Sequence, residues 1–300
     1  FQYIAAKQNI EELKLLVNFT IERHFSEIKS SNDKALDLLN LLMEKQCNLV
    51  VNWMRVGFIH GVMNTDNMTI SGQTIDYGPC AFMDHYDAKT VFSSIDKFGR
   101  YSFSNQPKIT KWNLARFAEC LIPLIDQNED SAIKKASEVV DNFEKIYEKK
   151  WLNMMRDKLG LFGEDKEDKK LINDLLNWME LNKVDYTNTF CYLMNVKTSE
   201  INCYKTNEFN HWMDRWKKRL NLKEISSSKY LDLMRSSNPI VIPRNHKVEE
   251  ALNAANENNL ELLKNLLTVL ENPYADQKNI LDYQSPLPIT EKKFQTFCGT

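Results

Sequence analysis

Leu13, Leu16, Val17, Thr20 and Ile21 fall at steps of three and four residues, so the pattern over residues 2–25 predicts an amphipathic helix that packs inward along that stripe. Ser30, Ser31, Asn32 and Asp33 supply N-cap side chains for a second helix over 34–57. In that helix Leu39, Leu42, Met43, Gln46, Cys47, Val50 and Met54 form a stripe widened by Leu36, Val51 and Trp53. A helix apolar on nearly all sides belongs in the middle of a bundle. Its end runs directly into His60, so a rigid support leads into the polar stretch that follows. Further helices are expected over 111–125, 131–159, 171–194, 208–220, 226–235 and 247–270. Between them lie a polar loop at 126–130, a charged run GEDKEDKK at 163–170 expected to be solvated, and a polar break at 196–206 expected to be a surface insertion. Asn238-Pro239 and Ile242-Pro243 force an extended crossing, because proline drives the preceding residue out of the helical region. The fold class expected is mainly α, with one short β-hairpin inside 60–78.

Candidate chemistry concentrates in that stretch, HGVMNTDNMTISGQTIDYG from His60 to Gly78. A polar loop ends in Asp66-Asn67, a short β-type segment turns at Ser71-Gly72, and a second segment delivers Asp76 into Asp76-Tyr77-Gly78. The layout resembles a kinase catalytic loop followed by its metal-binding Asp-Phe-Gly turn. A hairpin of about five residues per arm would return Asp76 beside Asn67, so that one Mg²⁺ could bridge their oxygens and nucleotide phosphates. Asp66 is left as the candidate base. In kinases the base lies five positions before the asparagine, and here that position is Val62. Either the site is dead as a kinase or Asp66 has taken over the proton-accepting role. Asn64, Thr65 and Asp66 could equally cap backbone groups in a tight loop, and Asp-Tyr-Gly in isolation is an ordinary turn. His60 is read as a packing residue beside the metal turn, and the four remaining histidines have no ligand-spaced partners.

Composition narrows the classes. A net charge of −2 with interspersed acids and bases gives no footprint for nucleic acid. No apolar run approaches the ~20 residues that span a bilayer, so no membrane segment is expected. None of the eight glycines falls in a phosphate-cradling motif, and the six cysteines show no C-x-x-C pair, so no structural metal site is expected. Cys47 and Cys120 sit in apolar helical patterns and are expected to be buried small hydrophobes.

HGVMNTDNM and TIDYGP, together with Cys80 to Asp84, Gly99-Arg100-Tyr101, Asn105-Gln106-Pro107, Trp112-Asn113-Leu114, Asp185 to Phe190, NPIVIPRNHKVEEAL at 238–252 and the terminal Phe297-Cys298-Gly299-Thr300, resemble the selenoprotein O family of kinase-like protein adenylyltransferases. The resemblance covers nearly the whole chain. It implies a kinase-like helical C-lobe core over 1–125 holding the catalytic loop and metal turn, and a helical C-terminal extension over 126–300. It implies a nucleotidyltransferase moving AMP from ATP to Ser, Thr or Tyr hydroxyls of proteins, with Asp66 as base and Asn67 and Asp76 binding Mg²⁺ or Mn²⁺. The segment 79–108 becomes the activation-segment equivalent. In this family the nucleotide-binding lobe precedes the point where this chain begins, so the chain is expected to lack that lobe and to be inactive by itself. A monomer with protein substrates, without nucleic acid or membrane partners, is expected, in mitochondria for a eukaryotic source and in the cytoplasm for a bacterial one. Some relatives carry selenocysteine at the position of Cys298, which makes a Cys80–Cys298 redox pair a candidate switch; where others carry a cysteine after the metal turn this chain has Phe92. A conventional phosphotransferase and a pseudokinase scaffold are the alternatives.

Overall fold

The computed structural model describes residues 1–198, 202–220, 226–278, 280–287 and 294–297. Among these it is mainly α: twelve α-helices and one two-stranded antiparallel sheet. The chain divides into two compact units that interleave in sequence.

The first unit comprises Phe1–Asn52, Val62–Gly78 and Ser104–Lys150. It holds α1 (Gln2–Ala6), α2 (Ile10–His24), most of α3 (Lys34–Val56), α4 (Gln106–Ile125) and most of α5 (Glu129–Lys158). Leu13, Val17, Thr20 and Ile21 of α2 are buried, as the stripe predicts, and α1 and α2 pack on each other and on α4. Every member of the predicted α3 stripe from Leu39 to Met54 is buried, Gln46 included. Cys47 is among them, and burial pushes its thiol up to about 11, which makes it an inert packing group. The helix expected over 2–25 is two helices. Gln8 takes φ +54° and the Asn9 side chain accepts a 3.1 Å hydrogen bond from Glu12 N–H, which starts α2 afresh. α4 begins five residues earlier than expected because Pro107 sits in its first turn, where its fixed φ and missing N–H cost nothing.

The second unit comprises Trp53–Gly61, Pro79–Phe103 and Trp151–Thr300. Here β1 (Phe58–Ile59) pairs with β2 (Ala81–Phe82), Phe58 opposite Phe82 and Ile59 opposite Ala81. The helices are α6 (Asp168–Asn182), α7 (Tyr186–Leu193), α8 (Asn207–Leu220), α9 (Ser227–Ser237), α10 (Asn245–Asn256), α11 (Glu261–Leu270) and α12 (Leu281–Gln284). α6 packs on α8, and α10 on α11. Two expected single helices are again split. Lys183 (φ +51°) ends α6, and the Asp185 carboxylate caps α7 by accepting from Asn188 N–H at 2.7 Å. Asn258 (φ +65°) separates α10 from α11. The polar stretch 196–206 is not wholly surface: Tyr204 is buried and stacks on Tyr192 at 4.1 Å between ring centroids. The charged run 163–170 is solvated except for Asp168, which is fully buried. Arg156 Nε and Arg219 Nε each donate to its carboxylate at 2.7 Å. Burial works against the Asp168 charge, but the bonds from Arg219 and Arg156 outweigh it and hold the carboxyl below the ordinary carboxylate range.

Arg244 is the largest fully buried side chain among the described residues. Its Nη1 donates to Asp84 Oδ1 at 2.7 Å and Asp185 Oδ2 at 2.6 Å; its Nη2 donates to Asp185 Oδ1 at 3.1 Å and to the Gln284 carbonyl at 2.6 Å. Burial opposes the guanidinium charge, and the two carboxylates more than compensate.

Candidate active site

The Val62–Gly78 excursion leaves β1 through His60 and Gly61. His60 is fully buried, its ring 5.4 Å from that of Trp53 and 6.4 Å from that of Phe58, so its recorded ring contacts are with the end of α3 and with β1. Gly61 is required as glycine: its φ is +89°, and a Cβ there would lie 2.5 Å from the Pro79 carbonyl oxygen. After Met63 the chain makes a single 3₁₀ turn, Thr65–Asn67, closed by Asn67 N–H donating to Asn64 O at 3.0 Å.

Asp66 and Asn67 therefore stand together in one turn. The Asn67 side chain donates its Nδ2–H to the Val62 carbonyl at 2.9 Å, which fixes the amide and leaves Oδ1 to act as an acceptor. Asp66 is exposed, and its carboxylate makes no hydrogen bond or ion pair with a described residue. The expected hairpin is present in a reduced form, a single antiparallel bridge between Met68 and Thr74 rather than arms of about five residues. Thr69 explains the brevity. Its Oγ1 donates to Gln73 O at 2.6 Å and accepts from Gln73 N–H at 3.0 Å, so a side chain closes the turn where a longer ladder would otherwise do so. Gly72 sits in this turn at φ +74°, 2.9 Å from the Lys45 Cβ if it carried a Cβ of its own.

Asp76 follows Thr74 by two residues, as Asp66 precedes Met68 by two, so the acids occupy matching positions on either side of the bridge. Its backbone is left-handed, φ +56°, an uncommon state for a residue with a side chain. Its carboxylate is exposed and makes no hydrogen bond or ion pair with a described residue. Unspent hard oxygens of this kind, one amide and one carboxylate, suit Mg²⁺, which is usually held by one or two carboxylates with substrate phosphates and water completing the shell.

Two residues that sequence reasoning passed over hold this loop. Asn113 on α4 donates Nδ2–H to Met63 O at 3.0 Å, and Gln46 on α3 donates Nε2–H to Thr69 O. Gln46 carried a legible signal, a lone amide in an apolar stripe.

A cavity of about 680 Å³ in the first unit is bordered by Asp66, Met68, Ile70, Leu42, Trp112 and Phe117, among others. Of the two candidate redox cysteines, Cys80 is half-buried next to Pro79, and Cys298 lies outside the described residues. Just before it, Thr296 is docked: its Oγ1 donates to Pro79 O at 2.7 Å, and its backbone exchanges bonds with Phe92 O and Ser94 N–H. Phe92 is buried against Phe294, with ring centroids 6.0 Å apart.

Residues 1–271 match the family of the protein adenylyltransferase SelO. The chain belongs to that family. Over its full length it is 64% identical to the Protein nucleotidyltransferase YdiU of Pelagibacter ubique, covering 62% of that protein. It is 51% identical to the YdiU of Nitrosococcus oceani and 48% to that of Brevibacillus brevis, covering 61% of each. The chain thus spans about three fifths of the length of these curated SelO-family relatives, a coverage that does not by itself establish the expected missing lobe. No helix among the described residues is long and apolar enough to cross a membrane.

Proposed function

We propose that this chain carries the catalytic loop and metal turn of a nucleotidyltransferase that moves AMP from ATP to hydroxyl side chains of proteins. The observation that supports the reading is the way the loop spends its hydrogen bonds. The Asn67 amide is fixed through its N–H, while Asn67 Oδ1 and the carboxylates of Asp66 and Asp76 remain unspent on either side of one β-bridge. Asn67 and Asp76 would hold Mg²⁺ or Mn²⁺, and the metal would supply neutralisation of charge on the ATP phosphates. Asp66 would accept the proton as the acceptor oxygen bonds to the α-phosphorus and pyrophosphate departs. SelO-family membership and the name of the relatives, protein nucleotidyltransferase, favour this reaction. The kinase-like C-lobe assignment, with its division near 125 and 126, belongs to the same proposal. The relatives named are bacterial, which favours the cytoplasmic branch of the compartment expectation over the mitochondrial one. The docking of Thr296 on Pro79 favours keeping Cys80 and Cys298 as a candidate redox pair, testable by peptide mapping under non-reducing conditions.

ATP labelled separately at the α and γ positions, incubated with the full-length protein and an acceptor protein, tests the reading. Label transferred from α supports it. Label from γ would instead make the protein a phosphotransferase, and transfer of neither would favour a scaffold, the reading that Val62 at the usual base position invites.

A further inference from the structure

Gln46 and Asn113 are polar side chains in apolar surroundings, 3% and 6% exposed, and each spends its amide N–H on a backbone carbonyl of the same loop. The carbonyls they hold are those of Met63 and Thr69, one on each side of the Asp66-Asn67 pair. α3 and α4 contribute one donor each, from residues far apart in sequence. We infer that Gln46 and Asn113 are positioning residues that clamp the two ends of the candidate catalytic turn and so set where Asp66 and Asn67 point. This inference rests on the function proposed above, because it assigns a purpose to the clamp through those two residues.

Both amides pay for the arrangement with a buried oxygen. Gln46 Oε1 and Asn113 Oδ1 are buried and have no hydrogen-bond partner among the described residues. An apolar side chain of the same size would avoid that desolvation, so packing alone does not call for an amide at either position. What an apolar replacement cannot do is donate to Met63 O or Thr69 O. Within the loop, Asn67 N–H donates to Asn64 O, the Asn67 side chain donates to Val62 O, and Gly72 N–H donates to Thr69 O at 3.1 Å beside the bond from Gln46. A clamp acting on carbonyls from both sides supplies rigidity that a short polar turn lacks, and displacement of a reacting group by about 1 Å can cost on the order of a hundredfold in rate.

The test uses the full-length protein with Asn113→Leu and Gln46→Met, which keep size and remove the donor, and Asp66→Asn as a reference. The readouts are hydrogen exchange of peptides covering 62–70, thermal midpoint, kcat and KM for ATP. The inference expects each clamp variant to stay folded within a few degrees of the parent. It also expects exchange in 62–70 to quicken about tenfold or more and kcat to fall about tenfold or more. Unchanged exchange in either folded variant overturns the clamp. Faster exchange with kcat within about twofold of the parent overturns its link to the reaction, as would a loss of activity that merely tracks a loss of thermal stability. Should a leucine or methionine variant fail to fold, Asn113→Ala and Gln46→Ala, which also lack the donor, are read by the same criteria. Failure of the underlying function reading is separately visible: there Asp66→Asn itself retains full activity, while the exchange result still stands or falls on its own.

Discussion

Asp185 and Asp168 in the second unit and Asp66 and Asp76 in the first are all acidic, yet the fold treats the two pairs in opposite ways. Asp185 is fully buried and accepts two hydrogen bonds from Arg244, and Asp168 is fully buried between Arg156 and Arg219. Asp66 and Asp76 are exposed and have no partner among the described residues, and Asp76 is held in a left-handed backbone state besides. The difference teaches where each carboxylate stores its worth. A buried acid contributes through the cations that meet it and is expensive to orphan, whereas an exposed, unspent acid contributes nothing to the fold and is available to a ligand.

Arg244→Met breaks the comparison most sharply. It leaves Asp185 buried without its cation, and stability should fall by about 3–5 kcal/mol, measured by urea unfolding. A loss under about 1 kcal/mol would mean that the buried acids are not held as described. Asp168→Asn should cost less, roughly 2–3 kcal/mol near neutral pH, the range for hydrogen bonds to charged groups. Its pH dependence is the sharper readout. The folded pKa of Asp168 is depressed, so its contribution is fully present above the unfolded value of about 3.9 and is lost as pH falls through the lower folded value. The parent should therefore lose stability more steeply than Asp168→Asn below about pH 4. An identical acid limb in both proteins would remove Asp168 from the account.

Asp76→Gly should act in the other direction. Glycine accepts φ near +56° without strain, so stability should rise by up to about 1 kcal/mol, while Mg²⁺-dependent ATP binding by the full-length protein is lost. Unchanged Mg²⁺-ATP affinity would place the metal elsewhere. Asp66→Asn is the smallest perturbation to the fold, within about 0.5 kcal/mol, since the side chain touches nothing that a neutral amide would lose.

Helix existence was legible where an apolar stripe runs long, as in α3, whose predicted face is buried from Leu39 to Met54. The breaks were not. Gln8, Lys183 and Asn258 end or separate helices in the left-handed state without glycine or proline to announce it, and a stripe of the right period continues across them. Asp66, Asn67 and Asp76 stood out because polar ligands were crowded between apolar runs. Arg244, Asp168 and Asn113 did not, because their partners lie far away in sequence and nothing local distinguishes a buried charge from a solvated one.

The pairing of β1 with β2 gives the candidate loop a place early in the order of folding. Ile59 meets Ala81 across a short stretch of chain, whereas Arg244 must find Asp185 from 59 positions away and Asp84 from 160. Closure entropy grows with the logarithm of the span, so the longest of these contacts costs roughly 1–2 kcal/mol more to close than the strand pair before any interaction rewards it. Substitutions at Phe58 or Phe82 should then slow refolding, and those at Arg244 should chiefly hasten unfolding, so that the two ends of the ligand-bearing excursion are joined before Arg244 reaches Asp84 and Asp185.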